Sequence, residues 1–321
     1  MTTRVSLAAG EGRFSTVTEA LELLGDAPLE KAAGAKKILI KPNFVSAYHS
    51  LSVTHVDAVR AVLDFLLPVV KGDLIIAEGS ALGSSGRAHE FYGYRELCKD
   101  YGLEFRDLNF DEAELFSVFD DKYNKVSIKV ARTLLESDFR VSVSPPKTHD
   151  AVVVSLSIKN MAMAAPQKRA GPLVRVFNRF CGTAFRDDKW AVHRGCAVIH
   201  LNVFMLARDT LPHLAVLDGH TAMEGNGPVY GDPVEWRIAM ASEDPVALDY
   251  TCARMMGVEP SRVGYLYYCA RAGLGSPGDA EVIGARPDKY SREFKLHDTA
   301  DAHFWWDVPE EKLVEAGLFQ S

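Results

Sequence analysis

The chain is poor in cysteine, and the cysteines it has are badly placed for joint work. The five (Cys98, Cys181, Cys196, Cys252 and Cys269) are odd in number and far apart. No two have the spacing of a zinc site or of an iron–sulfur run, so they read as reduced thiols, most of them buried, in a reducing compartment. Basic charge is also in deficit: 36 Lys and Arg against 43 Asp and Glu leave a net charge of −7. That balance argues against a nucleic-acid carrier, whose surface must neutralise phosphates, while leaving room for a locally basic pocket. No apolar run approaches the roughly 20 residues of a membrane span. The first residues lack a basic segment followed by an apolar core. A soluble, cytoplasmic protein that engages neither membrane nor nucleic acid is the expectation. Nucleotide signatures are missing too. Neither G-x-x-x-x-G-K-[ST] nor G-x-G-x-x-G follows a β-branched run, which counts against a P-loop hydrolase and an ordinary NAD dehydrogenase.

What is present is enough apolar material, 47% of 321 residues, for one large or two moderate domains. Short β-branched runs alternate with amphipathic stretches. Lys37–Ile40, Leu74–Ala77, Leu103–Leu108, Val126–Val130, Phe139–Val143 and Leu214–Leu217 read as strands. Thr16 with Glu19 forms a capping box for a first helix that Gly25 stops. Further helices are expected from Thr54, over 87–101, over 132–137, over 197–210, from Asp244-Pro245 to Met256, and over 261–272. Residues 109–124 read as loop or hairpin. The pattern predicts an α/β fold with a doubly wound, mostly parallel sheet and helices on both faces. Its core domain spans 1–285, and a tail, 286–321, docks through Phe304, Trp305 and Trp306. Lys168, Arg169, Arg175, Arg179, Arg186, Lys189 and Arg194 mark 166–195 as a long insertion, either a lid or a surface loop, with a short helix near 172–180.

The chemistry-bearing residues collect where strands end. Lys41-Pro42-Asn43, Glu78-Gly79-Ser80, Lys147-Thr148-His149 and Asp218 each follow an apolar strand, and ligands of open parallel sheets bind outside the carboxyl ends of strands. Lys41, Lys147 and Lys159 could clamp a phosphate or carboxylate. Crowded by like charge, any of them could also lose basicity and act as a base. Lys159-Asn160 suggests a turn that aims both side chains at a ligand. His149 is a candidate proton carrier; with Asp218 and Glu224 it could instead hold a divalent metal. His193 and His200 are weaker candidates. Gly225-Asn226-Gly227, like Gly79-Ser80, could turn backbone amides toward an anion.

These clusters resemble a family. Lys41-Pro42-Asn43, Glu78-Gly79-Ser80, Pro146-Lys147-Thr148-His149, Ser157-Ile158-Lys159-Asn160-Met161, Asp218-Gly219, Met223 to Pro228 and Ala241 to Asp249 are similar, in the same order, to the DUF362 family of uncharacterised proteins. The resemblance covers about residues 36–285. Many members carry ferredoxin-like modules with iron–sulfur runs, which this sequence lacks, so the resemblance implies that any electrons come from a separate ferredoxin-like partner. A more distant likeness, at the level of fold, is to lactate racemases with their nucleotide-like nickel cofactor, and such analogy assigns no reaction. The residues leave open an enzyme acting on a small anionic metabolite by proton transfer, isomerisation or redox chemistry, a carrier of an anionic cofactor, and an accessory redox subunit. The cofactor is unassigned, and a homodimer through the aromatic tail is compatible with the sequence.

Overall fold

The computed structural model describes residues 2–168, 187–278 and 280–319. Twelve strands occur among them: β1 (Arg4–Ala9), β2 (Lys37–Lys41), β3 (Asp73–Glu78), β4 (Glu104–Asp107), β5 (Ala113–Phe119), β6 (Lys125–Ala131), β7 (Phe139–Ser144), β8 (Lys147–His149), β9 (Val153–Ser155), β10 (Leu214–Glu224), β11 (Asp232–Ser242) and β12 (Glu281–Gly284). The main sheet runs β12-β1-β11-β10-β7-β2-β3-β4, with β8 and β9 attached beside β10. Strands β10, β7, β2, β3 and β4 are parallel neighbours. Strand β11 is antiparallel to both β10 and β1. Strands β5 and β6 form a separate antiparallel hairpin, and Val130 of β6 also bridges to Pro166.

Successive side chains of a strand face opposite ways, and the sheet uses both faces. Ile38 and Ile40 join one apolar cluster while Leu39 joins the other; Leu214 and Val216 divide from Ala215 and Leu217 in the same way. The helices Arg13–Glu22, Val56–Leu66 and Tyr94–Tyr101 cover the first face. The helices Ser157–Ala164, Cys196–Thr210, Pro245–Met255 and Gly264–Arg271 cover the second. This is the mixed, mostly parallel α/β architecture expected from the alternation.

Several elements differ from expectation. The first helix spans Arg13–Glu22 with Gly12 as its cap, so Thr16 is interior and bonds back to the Gly12 carbonyl at 2.7 Å. The stretch 87–101 is two helices, Ser85–Phe91 and Tyr94–Tyr101, divided at Gly93 with φ of 80°. Asp218-Gly219 does not end its strand: β10 continues to Glu224 through an irregularity between Gly219 and Thr221. Lys159 and Asn160 lie inside a helix rather than a turn. The expected helix near 172–180, together with Arg169, Arg175, Arg179, Cys181 and Arg186, lies outside the described residues. The described tail packs on the body. Trp236 donates to the Tyr290 carbonyl at 2.6 Å, and Tyr268 donates to the Trp306 carbonyl at 3.0 Å.

Candidate functional site

Because β2, β3 and β7 are parallel and in register, their carboxyl ends deliver Lys41, Glu78 and the segment after Ser144 to one edge. Above that edge lies a cavity of about 760 Å³. Lys41, Asn43, Glu78, Gly79, His149, Lys159, Asn160, Asn226 and Gly227 line it. Nine of the residues singled out in sequence therefore meet there.

Its foundation is a closed polar network. The Lys41 ammonium donates to Glu78 Oε2 at 2.6 Å, to Asn160 Oδ1 at 2.7 Å and to the Pro42 carbonyl at 2.6 Å. An ammonium has three N–H groups, so Lys41 is saturated from within and organises the site instead of clamping a ligand. Burial pulls its pKa down, and the Glu78 carboxylate opposes that pull. Glu78 also accepts from the Phe44 amide at 3.0 Å and from the Gly79 amide at 2.7 Å. Asn43 donates to Asn160 Oδ1 at 3.0 Å and accepts from Lys147. Lys147 is buried beneath the cavity rather than in its wall; burial, with Lys159 and Lys41 nearby, brings its pKa down to about 7.

The helix Ser157–Ala164 presents the working groups. Asp249 fixes its first turn, accepting from the Ser157 amide at 3.0 Å, the Ser157 hydroxyl at 2.6 Å and the Ile158 amide at 2.9 Å. At the other end Lys189 Nζ donates to the Met163 carbonyl at 2.7 Å. Helix carbonyls left without intrahelical partners invite a cation there. Between these ties, Lys159 Nζ lies 2.9 Å from His149 Nε2. Burial lowers the pKa of Lys159 to about 8, and burial with the neighbouring Lys159 charge pushes His149 well below the ordinary imidazole value.

His149 Nδ1 has two neighbours with opposite needs. The Ala151 amide donates to it at 3.0 Å, and Asp150 Oδ1 stands 3.0 Å away. With Nδ1 protonated and facing Asp150, Nε2 accepts from a charged Lys159. With Nδ1 accepting from Ala151, the proton sits on Nε2 and faces a neutral Lys159. The two arrangements of the pair differ by one proton.

Other expected residues take different posts. Asp218 opens onto a second cavity, where it pairs with Arg13 at 3.0 Å. Glu224 accepts from the Lys295 amide at 3.1 Å, and Thr148 donates to the Gly225 carbonyl at 2.9 Å. His149, Asp218 and Glu224 are thus not gathered, and among the described residues no group of three His, Cys, Asp or Glu is placed to hold a metal ion. The anion cradles are also occupied from within. The Gly225 amide donates to the Lys295 carbonyl at 2.6 Å, Gly227 to Gly225 at 2.8 Å, and Ser80 to the Ser85 hydroxyl at 2.9 Å. Gly227 answers a steric demand instead, since a Cβ there would collide with the Thr148 carbonyl. His200 is buried in the core, accepting from the Tyr265 amide at 3.0 Å.

Sequence reasoning missed Lys189 as a site residue. It is buried in the cavity wall, with burial lowering its pKa to about 8. His193 lines the same wall, brought down to about 4 by burial and the Lys159 charge. Asp150, Trp190, Tyr230 and the tail residues His297, Asp298 and Thr299 complete it. Asn226 and Asp298 exchange hydrogen bonds at 2.9 and 3.2 Å, which ties the tail to the cavity mouth.

A mixed sheet wrapped by helices, with a cavity lined by lysines, histidines and carboxylates outside its parallel strand ends, defines an α/β protein. The chain belongs to the family described as Domain of unknown function (DUF362), whose profile matches residues 38–254. It is similar to the "Thylakoid-associated protein sll1697" of Synechocystis sp., 23% identical over 290 residues that cover 88% of this chain and 79% of that protein. Among solved structures, the lactate racemase apoprotein from Thermoanaerobacterium thermosaccharolyticum aligns with a TM-score of 0.48 and 14% identity. That alignment covers 80% of this chain and 57% of the racemase chain. No helix among the described residues is long and apolar enough to cross a membrane.

Proposed function

We propose that this chain is an enzyme that moves a proton on a small carboxylated or phosphorylated metabolite. Lys159 carries the proton with His149 as its hydrogen-bond partner, and Lys189 with Lys159 holds the anion. The observation that carries this reading is the 2.9 Å contact between Lys159 Nζ and His149 Nε2 inside the cavity. A general base works best with a pKa near the working pH, and about 8 for Lys159 meets that condition. Shifted groups in a cleft are what proton transfer needs and what a passive carrier does not. Neutral Lys159 donates one N–H to His149 Nε2 and takes the substrate proton on its free lone pair, while His149 keeps its own proton on Nδ1 toward Asp150; the reverse step returns the proton. Lys41 and Glu78 keep Asn160 and Asn43 in place. Asp218 and Glu224 have no part in this reading. A separate redox partner is not required by it.

The test is hydrogen–deuterium exchange by NMR, with a panel of hydroxy acids, oxo acids and sugar phosphates in D2O. At least one compound should lose a C–H signal, and Lys159→Met or His149→Gln should slow that loss by about 100-fold or more. Exchange indifferent to both substitutions would sink the assignment. Tight binding across the panel with no exchange would replace it with a carrier role.

A further inference from the structure

The cavity is much larger than a small acid. Taking roughly 30 Å³ per heavy atom, the share of one water in the liquid, a six-atom acid fills on the order of 200 Å³. The cavity holds about 760 Å³. The excess volume is not lined like its floor. The floor is Lys159, Lys189, His149 and Glu78, all buried. The mouth carries Trp190, Tyr230 and Leu82, which are 60%, 75% and 48% exposed, beside Pro228 and Val229.

Large apolar side chains gain most when covered, so three of them left open around one cavity need a reason. Trp190 is not adrift. It sits in the short helix Asp188–Val192, whose first turn is capped by Asp187, which accepts from the Lys189 amide at 2.9 Å. Lys189 Nζ anchors that helix to the Met163 carbonyl. Adjacent residues of one anchored element thus supply a floor cation and a rim aromatic. Across the mouth, the Tyr230 ring stands edge-on to His49 with centroids 5.1 Å apart. Trp190 and Tyr230 line the same cavity as Lys159 and Lys189.

We infer that the ligand is an anion with a planar aromatic body, its acid group on the buried lysines and its ring system against Trp190 and Tyr230. This rests on the reading of the lysine floor as an anion site, and it narrows the substrate class from small carboxylated or phosphorylated metabolites to aryl acids.

Equilibrium titration of the intact chain with two probes of equal charge, biphenyl-4-carboxylate and butyrate, tests it. The aryl acid should bind at least about 30-fold tighter than butyrate. Trp190→Ala, a substitution at an exposed position, should remove about tenfold of that advantage and leave butyrate unchanged. Lys159→Met should weaken both probes. Equal affinities, or an aryl preference untouched by Trp190→Ala, would overturn the inference while leaving the anion site standing. Binding of both probes unaffected by Lys159→Met, or no binding of either, would bring down the anion site itself and this inference with it.

Discussion

Replacing Glu78 by glutamine is the most searching perturbation of the site, because the loss can be worked from its contacts. Glu78 Oε2 accepts from Lys41 at 2.6 Å and from the Phe44 amide at 3.0 Å, while Oε1 accepts from the Gly79 amide at 2.7 Å. Glutamine has one acceptor oxygen. If that oxygen keeps Lys41 and Phe44, its amide nitrogen faces the Gly79 N–H, donor against donor. Turned the other way, it faces the ammonium. Either way Lys41 loses its counter-charge at a buried position. Removing one partner of a buried ion pair costs about 3–5 kcal/mol, a third or more of the stability of many domains. Urea unfolding at pH 7 should show that loss as a lower midpoint with an unchanged slope. The variant should also behave differently with pH. Without Glu78, burial lowers the Lys41 pKa further, so the unfolded chain binds more protons than the native one up to about pH 10.4. Stability of Glu78→Gln should therefore climb as pH rises toward that value, more steeply than the parent and by up to about 1.4 kcal/mol per unit. Adding Lys41→Met should return about 2 kcal/mol, since the orphaned charge is then gone. A loss below about 1 kcal/mol, or a double variant no better than the single, would refute the reasoning.

Anion binding should draw in protons. Lys159 and Lys189, each near 8, are about half deprotonated at pH 8, so saturation with biphenyl-4-carboxylate should take up about one proton. Calorimetry in Tris and in phosphate measures this, and Lys159→Met should halve it. Asp249→Ala removes three hydrogen bonds from the start of the helix that carries Lys159. Urea unfolding should show a loss of about 2–4 kcal/mol, with weaker probe binding in the folded fraction. In the tail, Trp306 donates to the Arg262 carbonyl at 2.6 Å and packs on Tyr267 and Tyr268 with centroids 5.1 and 5.3 Å away, whereas Trp305 is 76% exposed. Trp306→Ala should cost about 2 kcal/mol and Trp305→Ala under about 0.5.

The parallel half of the sheet was legible because its strands are buried on both faces and read as unbroken β-branched runs. The strands that escaped are those with other company. In β11, Glu235 and Arg237 alternate with Val234, Trp236 and Ile238, a half-exposed pattern opened by Pro233 that is easily taken for loop. Strand β12 has only four residues, and β1, though six residues long, sits between it and antiparallel β11. Lys41, Glu78, His149 and Lys159 were found because each follows an apolar run, yet their division of labour was not visible. Saturation of Lys41 depends on Asn160, 119 positions away. Asp218 was misplaced because its strand runs on past it. Lys189 stands out in sequence only as one of the basic residues of 166–195; its place in the site exists only where the Ser157–Ala164 helix ends.

That helix has a consequence for assembly of the protein. Its first turn is clasped by Asp249 and its last by Lys189, and Thr299 from the tail lines the cavity. The cavity residues are therefore correctly spaced only when segments from both halves of the chain have met. A partly folded intermediate would hold its lysines in water, with ordinary basicity and no neighbour to share a proton. The lowered basicity that burial gives Lys159 should thus appear only on completed folding, and an amine-selective reagent at pH 8 should distinguish the finished molecule from its precursors.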